Sequence, residues 1–241
     1  MLVDPEHVTE PPCPPSPAGE QIVRRLREVY PSGADPDQAV RQAAYLRDQF
    51  PFLGLPTPGR RALSRTVLSG AARPDQDVCA SVALRAWRLP EREYQYFAVD
   101  YLRRHVKVCD ASFLPVAAYL IVTRSWWDTV DHLAAHVVGR LVAADPTLTA
   151  EMDRWITATD LWLARTALLH QLTYRQDTDA ERLFDYCRIQ SGHRDFFVRK
   201  AIGWALRTYA TTDPDAVRSF LAAEGNRLSP LSIREAAKHL G

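Results

Sequence analysis

Ser125-Trp126-Trp127-Asp128-Thr129-Val130-Asp131-His132-Leu133 opens on two aromatic residues and continues with the apolar spacing of an amphipathic helix. The same arrangement recurs. Tyr94-Gln95-Tyr96-Phe97-Ala98-Val99-Asp100-Tyr101-Leu102 precedes it; Leu161-Trp162-Leu163-Ala164-Arg165-Thr166-Ala167-Leu168-Leu169 and Phe196-Phe197-Val198-Arg199-Lys200-Ala201-Ile202-Gly203-Trp204 follow. The bulky pairs begin at 96, 126, 161 and 196, at intervals of 30, 35 and 35 residues. Second helical segments, Phe113–Ile121, Pro146–Thr157 and Asp179–Ile189, lie between them. Two helices per repeat of roughly 35 to 40 residues is the period of HEAT and armadillo stacks. No stretch alternates convincingly with period 2. The expected fold is therefore all-α, a curved α-solenoid of HEAT/armadillo-like helical repeats.

Upstream, Ile22, Val23, Leu26 and Val29 mark a helix stopped by Pro31-Ser32-Gly33, and a second is expected from about Pro36 to Phe50. The turn Pro51 to Gly59 leads into a helix for which Thr57 is the expected cap, with Pro58 at its first position. Another helix is expected from Pro74 to about Arg88. Residues 1–18 are proline-rich and polar, with too little apolar content to offset ordering, and are expected to be a disordered tail before a single domain over 19–241.

Composition narrows the function classes. Of 241 residues, 46% are hydrophobic and 24% charged, as in ordinary globular proteins, and only 10 are glycine, which favours helix. The net charge of +1 makes no case for nucleic acid, although 27 of the 30 basic residues are arginine, whose planar fork suits phosphate. GC-rich coding would produce the same bias. Cys13, Cys79, Cys109 and Cys187 are scattered without a C-x-x-C pair, against a disulfide framework or zinc knuckle. No apolar run approaches the roughly 18 residues of a membrane span. A cytoplasmic protein with no metal, cofactor or membrane partner is expected, and nothing in the sequence signals an obligate oligomer, so a monomer is expected.

In a helical stack, matching repeat positions converge on one concave face. Trp127 and Asp131 lie one helical turn apart. Arg165 follows Asp131 by 34 residues and Trp204 follows Arg165 by 39, about one repeat each. Trp126 and Val130 are expected to face the interior and Asp128 to be a supporting carboxylate. Arg165, Arg199, Lys200 and Arg207, with Arg61 and Arg124 in earlier repeats, could hold a phosphodiester backbone. Indole faces attract cations, and Asp131 would stabilise one directly. Such a groove suits cleavage of a nucleoside's glycosidic bond, whose transition state carries oxocarbenium charge.

Several blocks together resemble the AlkD-type DNA alkylation repair family, the HEAT-like-repeat DNA glycosylases. They are Gln49-Phe50-Pro51-Phe52-Leu53-Gly54 with Thr57-Pro58-Gly59-Arg60-Arg61, Leu89-Pro90-Glu91-Arg92-Glu93-Tyr94-Gln95, and Ile121 through Asp131. Trp162-Leu163-Ala164-Arg165, Phe197 through Arg207 and Leu228 through Ala236 complete the set, so the resemblance covers almost everything after the tail. It implies excision of cationic N3- or N7-alkylpurines from double-stranded DNA, leaving an abasic site. It also implies that the base is not flipped into a pocket, unlike the usual glycosylase. By the same resemblance Asp131 is the catalytic carboxylate, Trp127 and Trp204 pack on the lesion's deoxyribose, and Arg165 contacts phosphate and fixes the carboxylate. Tyr45 falls where the family has a tyrosine near DNA. Bulky minor-groove adducts are implied as possible substrates, an activity found in family members that protect producers of DNA-alkylating compounds. Pro56 stands where the family pattern carries a DNA-contacting glutamine, a contact proline cannot make.

Two rival readings remain. Asp128, His132 and His136, spaced by four, could form the ligand stripe of a metal-dependent hydrolase, though no H-E-x-x-H is present. A catalytically silent solenoid that binds damaged DNA or protein is the other.

Overall fold

The computed structural model describes residues 3–240, and every regular element among them is helical. The chain divides into two compact units, one of Glu10–Val116 and one of residues up to Thr9 with those from Ala117 onward. The boundary between the units falls inside the helix Leu114–Val122. No described helix is long and apolar enough to cross a membrane.

The Glu10–Val116 unit contains α1 (Pro17–Val29), α2 (Pro36–Tyr45), α3 (Thr57–Val67), α4 (Gln76–Trp87) and α5 (Arg92–His105). Helix α1 packs on α3 and α4, and α4 on α5. Tyr30, Leu26, Trp87 and Phe97 are buried between them, with Tyr30 stacked on Tyr94 at 5.7 Å. Helix α2 stops at Tyr45, short of the expected Phe50. Arg47 and Asp48 both take left-handed backbone (φ 58° and 56°), and the Asp48 N–H returns to the Ala43 carbonyl at 2.8 Å. Helix periodicity in the side chains cannot reveal such a reversal. The following turn is held by Glu93, fully buried on α5, whose carboxylate accepts the N–H groups of Leu53, Gly54 and Leu55 at 3.0, 2.8 and 3.0 Å. Gly54 has φ +88°, and a Cβ there would lie 2.0 Å from the Asp35 carbonyl oxygen, so only glycine fits. Pro56, not Thr57, precedes the first turn of α3, and no side chain caps that end. The fixed φ of proline directs the chain into the helix instead.

In the other unit, α6 (Leu114–Val122) leads to α7 (Trp127–Leu133), which continues through a π-helical segment (Ala134–Val138) into α8 (Gly139–Ala144). Then come α9 (Thr149–Trp155), α10 (Leu161–Leu169), α11 (Ala180–Ile189), α12 (Phe196–Tyr209), α13 (Pro214–Glu224) and α14 (Pro230–Ala236). Helix starts are marked as local chemistry requires: Asp160, Asp179, Asp195, Asp213 and Ser229 each accept a first-turn N–H of α10 to α14. The first helices of successive repeats stack in order, α7 on α10 and α10 on α12, with α14 against α12. This is the repeat architecture that the 35-residue spacing predicts.

The proline-rich segment has defined contacts where it is described, although disorder is expected; residues 1 and 2 of that expectation lie outside the described residues. Val3 is buried, and the Glu6 carboxylate accepts the Thr159 N–H and hydroxyl at 3.2 and 2.6 Å. Glu10 pairs with Arg88. The tethers are carboxylates, which a count of apolar residues overlooks.

Candidate active site

Trp126 sets the position of α7. Its backbone is extended at φ −161°, and its ring packs on Trp162 (6.0 Å) and Phe197 (5.1 Å), with the last two rings 5.1 Å apart. The three rings occupy the same position in three consecutive repeats, and contacts of this kind contribute about 0.5–1.5 kcal/mol each beyond burial. Val130 is fully buried one turn on. Val130 turns inward as the sequence spacing predicts, while half-buried Trp126 packs its ring between repeats, leaving Trp127 and Asp131 on another face.

Asp131 is only 9% exposed and Arg165 2%. The guanidinium grips the carboxylate at both oxygens, Nε to Oδ1 at 2.7 Å and Nη2 to Oδ2 at 2.9 Å, and its Nη1 donates to the Phe197 carbonyl. One arginine on α10 thereby ties α7 to α12, and the bidentate geometry fixes the rotation of the carboxylate. Both oxygens keep lone pairs outside this pair.

A recess of about 490 Å³ opens beside the pair. One wall is the stripe Trp127, Asp128, Asp131, His132, Ala135 and His136, the face a continuous helix presents. Leu172, Thr173, Trp204 and Thr208 form the rest. Asp128, expected in a supporting place, lines the recess itself. The His132 and His136 rings stack at 5.9 Å. Among the described residues no group of three or more His, Cys, Asp or Glu could hold a metal ion, so the Asp128, His132 and His136 stripe does not assemble as a ligand set. Leu172, Thr173 and Thr208 carry no signal in the sequence: two follow α10 and one sits in the last turn of α12, and only the packing turns them to the recess.

Next to Trp204, Gly203 lets α12 lie close to α14. A Cβ on Gly203 would come within 2.5 Å of the Glu235 Cβ and 2.7 Å of the Ser232 carbonyl oxygen. Ser232 donates its hydroxyl to the Arg199 carbonyl at 2.8 Å, and Arg207 is paired with Glu235 at 2.9 Å. Lys238 and Arg207 together hold the Glu235 carboxyl below its usual range, Lys238 being the larger influence.

Arg124 is exposed in the loop before α7, with left-handed backbone (φ 49°). Arg199 donates from Nε to the His193 carbonyl at 2.7 Å. Lys200 is exposed, its Nζ 5.6 Å from the Phe196 ring centre. Tyr45 (73% exposed), Thr57 and Arg61 are on the surface of the Glu10–Val116 unit, at the end of α2 and the start of α3.

Stacked repeats that present a buried carboxylate and its guanidinium beside two indoles define a helical-repeat protein with an active-site-like recess. The comparisons supply the family. The pattern of the DNA alkylation repair enzyme family matches residues 26–240, and the chain belongs to that family. A solved structure described as a predicted DNA alkylation repair enzyme from Enterococcus faecalis is 31% identical and superposes with a TM-score of 0.79. The match covers 86% of this chain and 97% of that one. No curated protein matches. The family places the chain among enzymes that repair alkylated DNA, with DNA as its partner.

Proposed function

We propose that the protein is a monofunctional DNA glycosylase that hydrolyses the N-glycosidic bond of cationic N3- or N7-alkylpurines in double-stranded DNA, acting as a cytoplasmic monomer without metal or cofactor. The observation that carries this reading is the Asp131–Arg165 pair at the edge of a recess lined by Trp127 and Trp204. As the bond breaks, its electron pair passes to the base nitrogen and neutralises the leaving group, so the enzyme need not supply a proton there. The positive charge moves to the sugar. Asp131 stabilises that charge at the anomeric carbon and orients the water that adds to it, taking up the water's proton. Trp127 and Trp204 hold the deoxyribose and favour its developing charge. Arg165 keeps the carboxylate aimed.

Excision without base flipping and tolerance of bulky minor-groove adducts belong to this reading, which rests on the sugar-directed Trp127, Asp131 and Trp204 in the recess. Self-resistance to a DNA-alkylating compound is one setting for such an activity. Arg124, Arg199, Lys200 and Arg207, with Tyr45, Thr57 and Arg61, are proposed to contact the DNA. Pro56, lacking an N–H and a polar side chain, would leave the lesion less tightly specified on that side. The test is to incubate the protein with duplexes carrying N7-methylguanine, N3-methyladenine or a bulky N3-adenine adduct and to identify the released base. Release of free base with an intact, alkali-labile strand supports a monofunctional glycosylase; a nicked strand or no release contradicts it.

A further inference from the structure

The Glu10–Val116 unit carries a second recess, of about 390 Å³, that the proposed chemistry does not use. It lies between the chain leaving α3 and the end of α5 with the 3-10 turn Val106–Val108 after it, and its volume falls in the range of small-molecule sites, roughly 300–1,000 Å³. Arg73 comes from the first segment; Tyr101, Arg104, His105 and Lys107 come from the second. No carboxylate lines it.

Basic residues at a helix C-terminus have an ordinary explanation, because they offset the partial negative charge of the last carbonyls. Arg103 lies in that last turn and is also paired, 3.8 Å from Asp100 one turn back. Arg104 shares that last-turn position, but Arg73 and Lys107 lie outside α5, and among the described residues the side chains of Arg73, Arg104 and Lys107 make no hydrogen bond or ion pair. The charges also converge. Burial lowers the basicity of His105, and Arg104 and then Arg73 lower it further, so both guanidiniums act on one imidazole. The His105 ring leans on buried Tyr101 at 4.8 Å, which fixes its place in the wall. The neighbouring carboxylate, Asp75, is turned to cap α4, accepting the Val78 N–H at 2.8 Å. Arg73, Arg104 and Lys107 are exposed, so water and salt screen their mutual repulsion, and an anion held between them would reduce what is left of it.

We propose that this recess is a phosphate-binding site in which Arg73, Arg104 and Lys107 hold the oxyanion and His105 donates to it. Guanidinium forks match two phosphate oxygens at once, and lysine adds a point charge. The same oxyanion comes from the DNA backbone or from a free phosphate compound, and two measurements on the whole protein separate these sources. The first is the salt dependence of binding to lesion-free duplex, for the wild type and for a Arg73→Ala/Arg104→Ala/Lys107→Ala variant. If DNA is the source, the slope of log K against log salt becomes shallower by about 0.9 for each phosphate contact removed. The second is titration with inorganic pyrophosphate, followed by NMR at the His105 ring. If a free phosphate is the source, pyrophosphate shifts that resonance in the wild type and not in the triple variant, and the slope is unchanged. Either result supports the site. An unchanged slope together with an unmoved His105 resonance overturns it. So does an equal slope change in Arg103→Ala, because Arg103 is already paired and any effect there is general charge. The proposal does not rest on the glycosylase reading: lesion-free DNA reports on it alone, and base release at saturating protein is expected to be the same in the triple variant and the wild type.

Discussion

Replacing Arg165 by methionine keeps most of the side-chain volume and removes the guanidinium. Asp131 then loses both charge-assisted hydrogen bonds, and the Phe197 carbonyl loses its donor. The side chains of Arg165 and Asp131 are 3% and 11% exposed, so water can replace the lost guanidinium only from the recess side. Breaking a buried pair from one side costs about 3–5 kcal/mol. Asp131→Leu should also be costly, since it strands the guanidinium. Removing both charges in Asp131→Leu/Arg165→Met leaves neither group unpaired, and the double variant should be more stable than Arg165→Met alone. A double-mutant cycle from urea unfolding, read by tryptophan fluorescence, should give a coupling of at least about 2 kcal/mol, towards the upper end for residues in direct contact. Loss of under 1 kcal/mol in Arg165→Met, or strictly additive single costs, would refute the argument that this pair is a desolvated, mutually dependent unit.

Gly203→Ala should destabilise by about 1–3 kcal/mol, because the new methyl meets the Glu235 Cβ and the Ser232 backbone; thermal unfolding checks it. His170 is fully buried, and burial pushes its pKa down from 6.5 to about 4, while its Nδ1 lies 2.7 Å from the Ala167 carbonyl. Between those two values the unfolded chain takes up a proton that the folded chain refuses, so stability falls as pH drops from 6.5 towards 4, by up to about 3 kcal/mol. In His170→Leu, denaturant titrations at pH 7 and pH 4.5 should show a smaller difference than in the wild type. Trp127→Ala and Trp204→Ala should each slow base release from alkylated duplex by tenfold or more, about 1.4 kcal/mol, while changing affinity for undamaged duplex much less. Single-turnover kinetics and binding isotherms separate the two effects.

Bulky pairs recurring about every 35 residues are enough to read the stack of α7, α10 and α12, because one ring of each, Trp126, Trp162 or Phe197, packs against the others. The partnership of Asp131 with Arg165 is legible for the same reason: residues 34 apart in a repeat array are neighbours in space. What the sequence conceals depends on backbone detail or on distant packing. The end of α2 is set by two left-handed residues, neither of them glycine. Thr57 looks like a helix cap because of its hydroxyl, yet Pro56 takes that place through its backbone alone. Arg207 reads as a groove cation by spacing, but its partner Glu235 lies on a helix whose approach depends on Gly203. His132 and His136 reach the recess together with Asp131 because the helix face continues past α7 into the π-helical segment.

The most direct test of the proposed chemistry compares Asp131→Asn with the wild type on duplex containing a single N7-methylguanine. Asparagine keeps the shape of the side chain and removes the charge that would stabilise the sugar cation. Base release by the variant should fall by at least a hundredfold, about 2.7 kcal/mol, with binding to the same duplex retained. Release of N7-methylguanine by Asp131→Asn at the wild-type rate would contradict the assignment of this carboxylate.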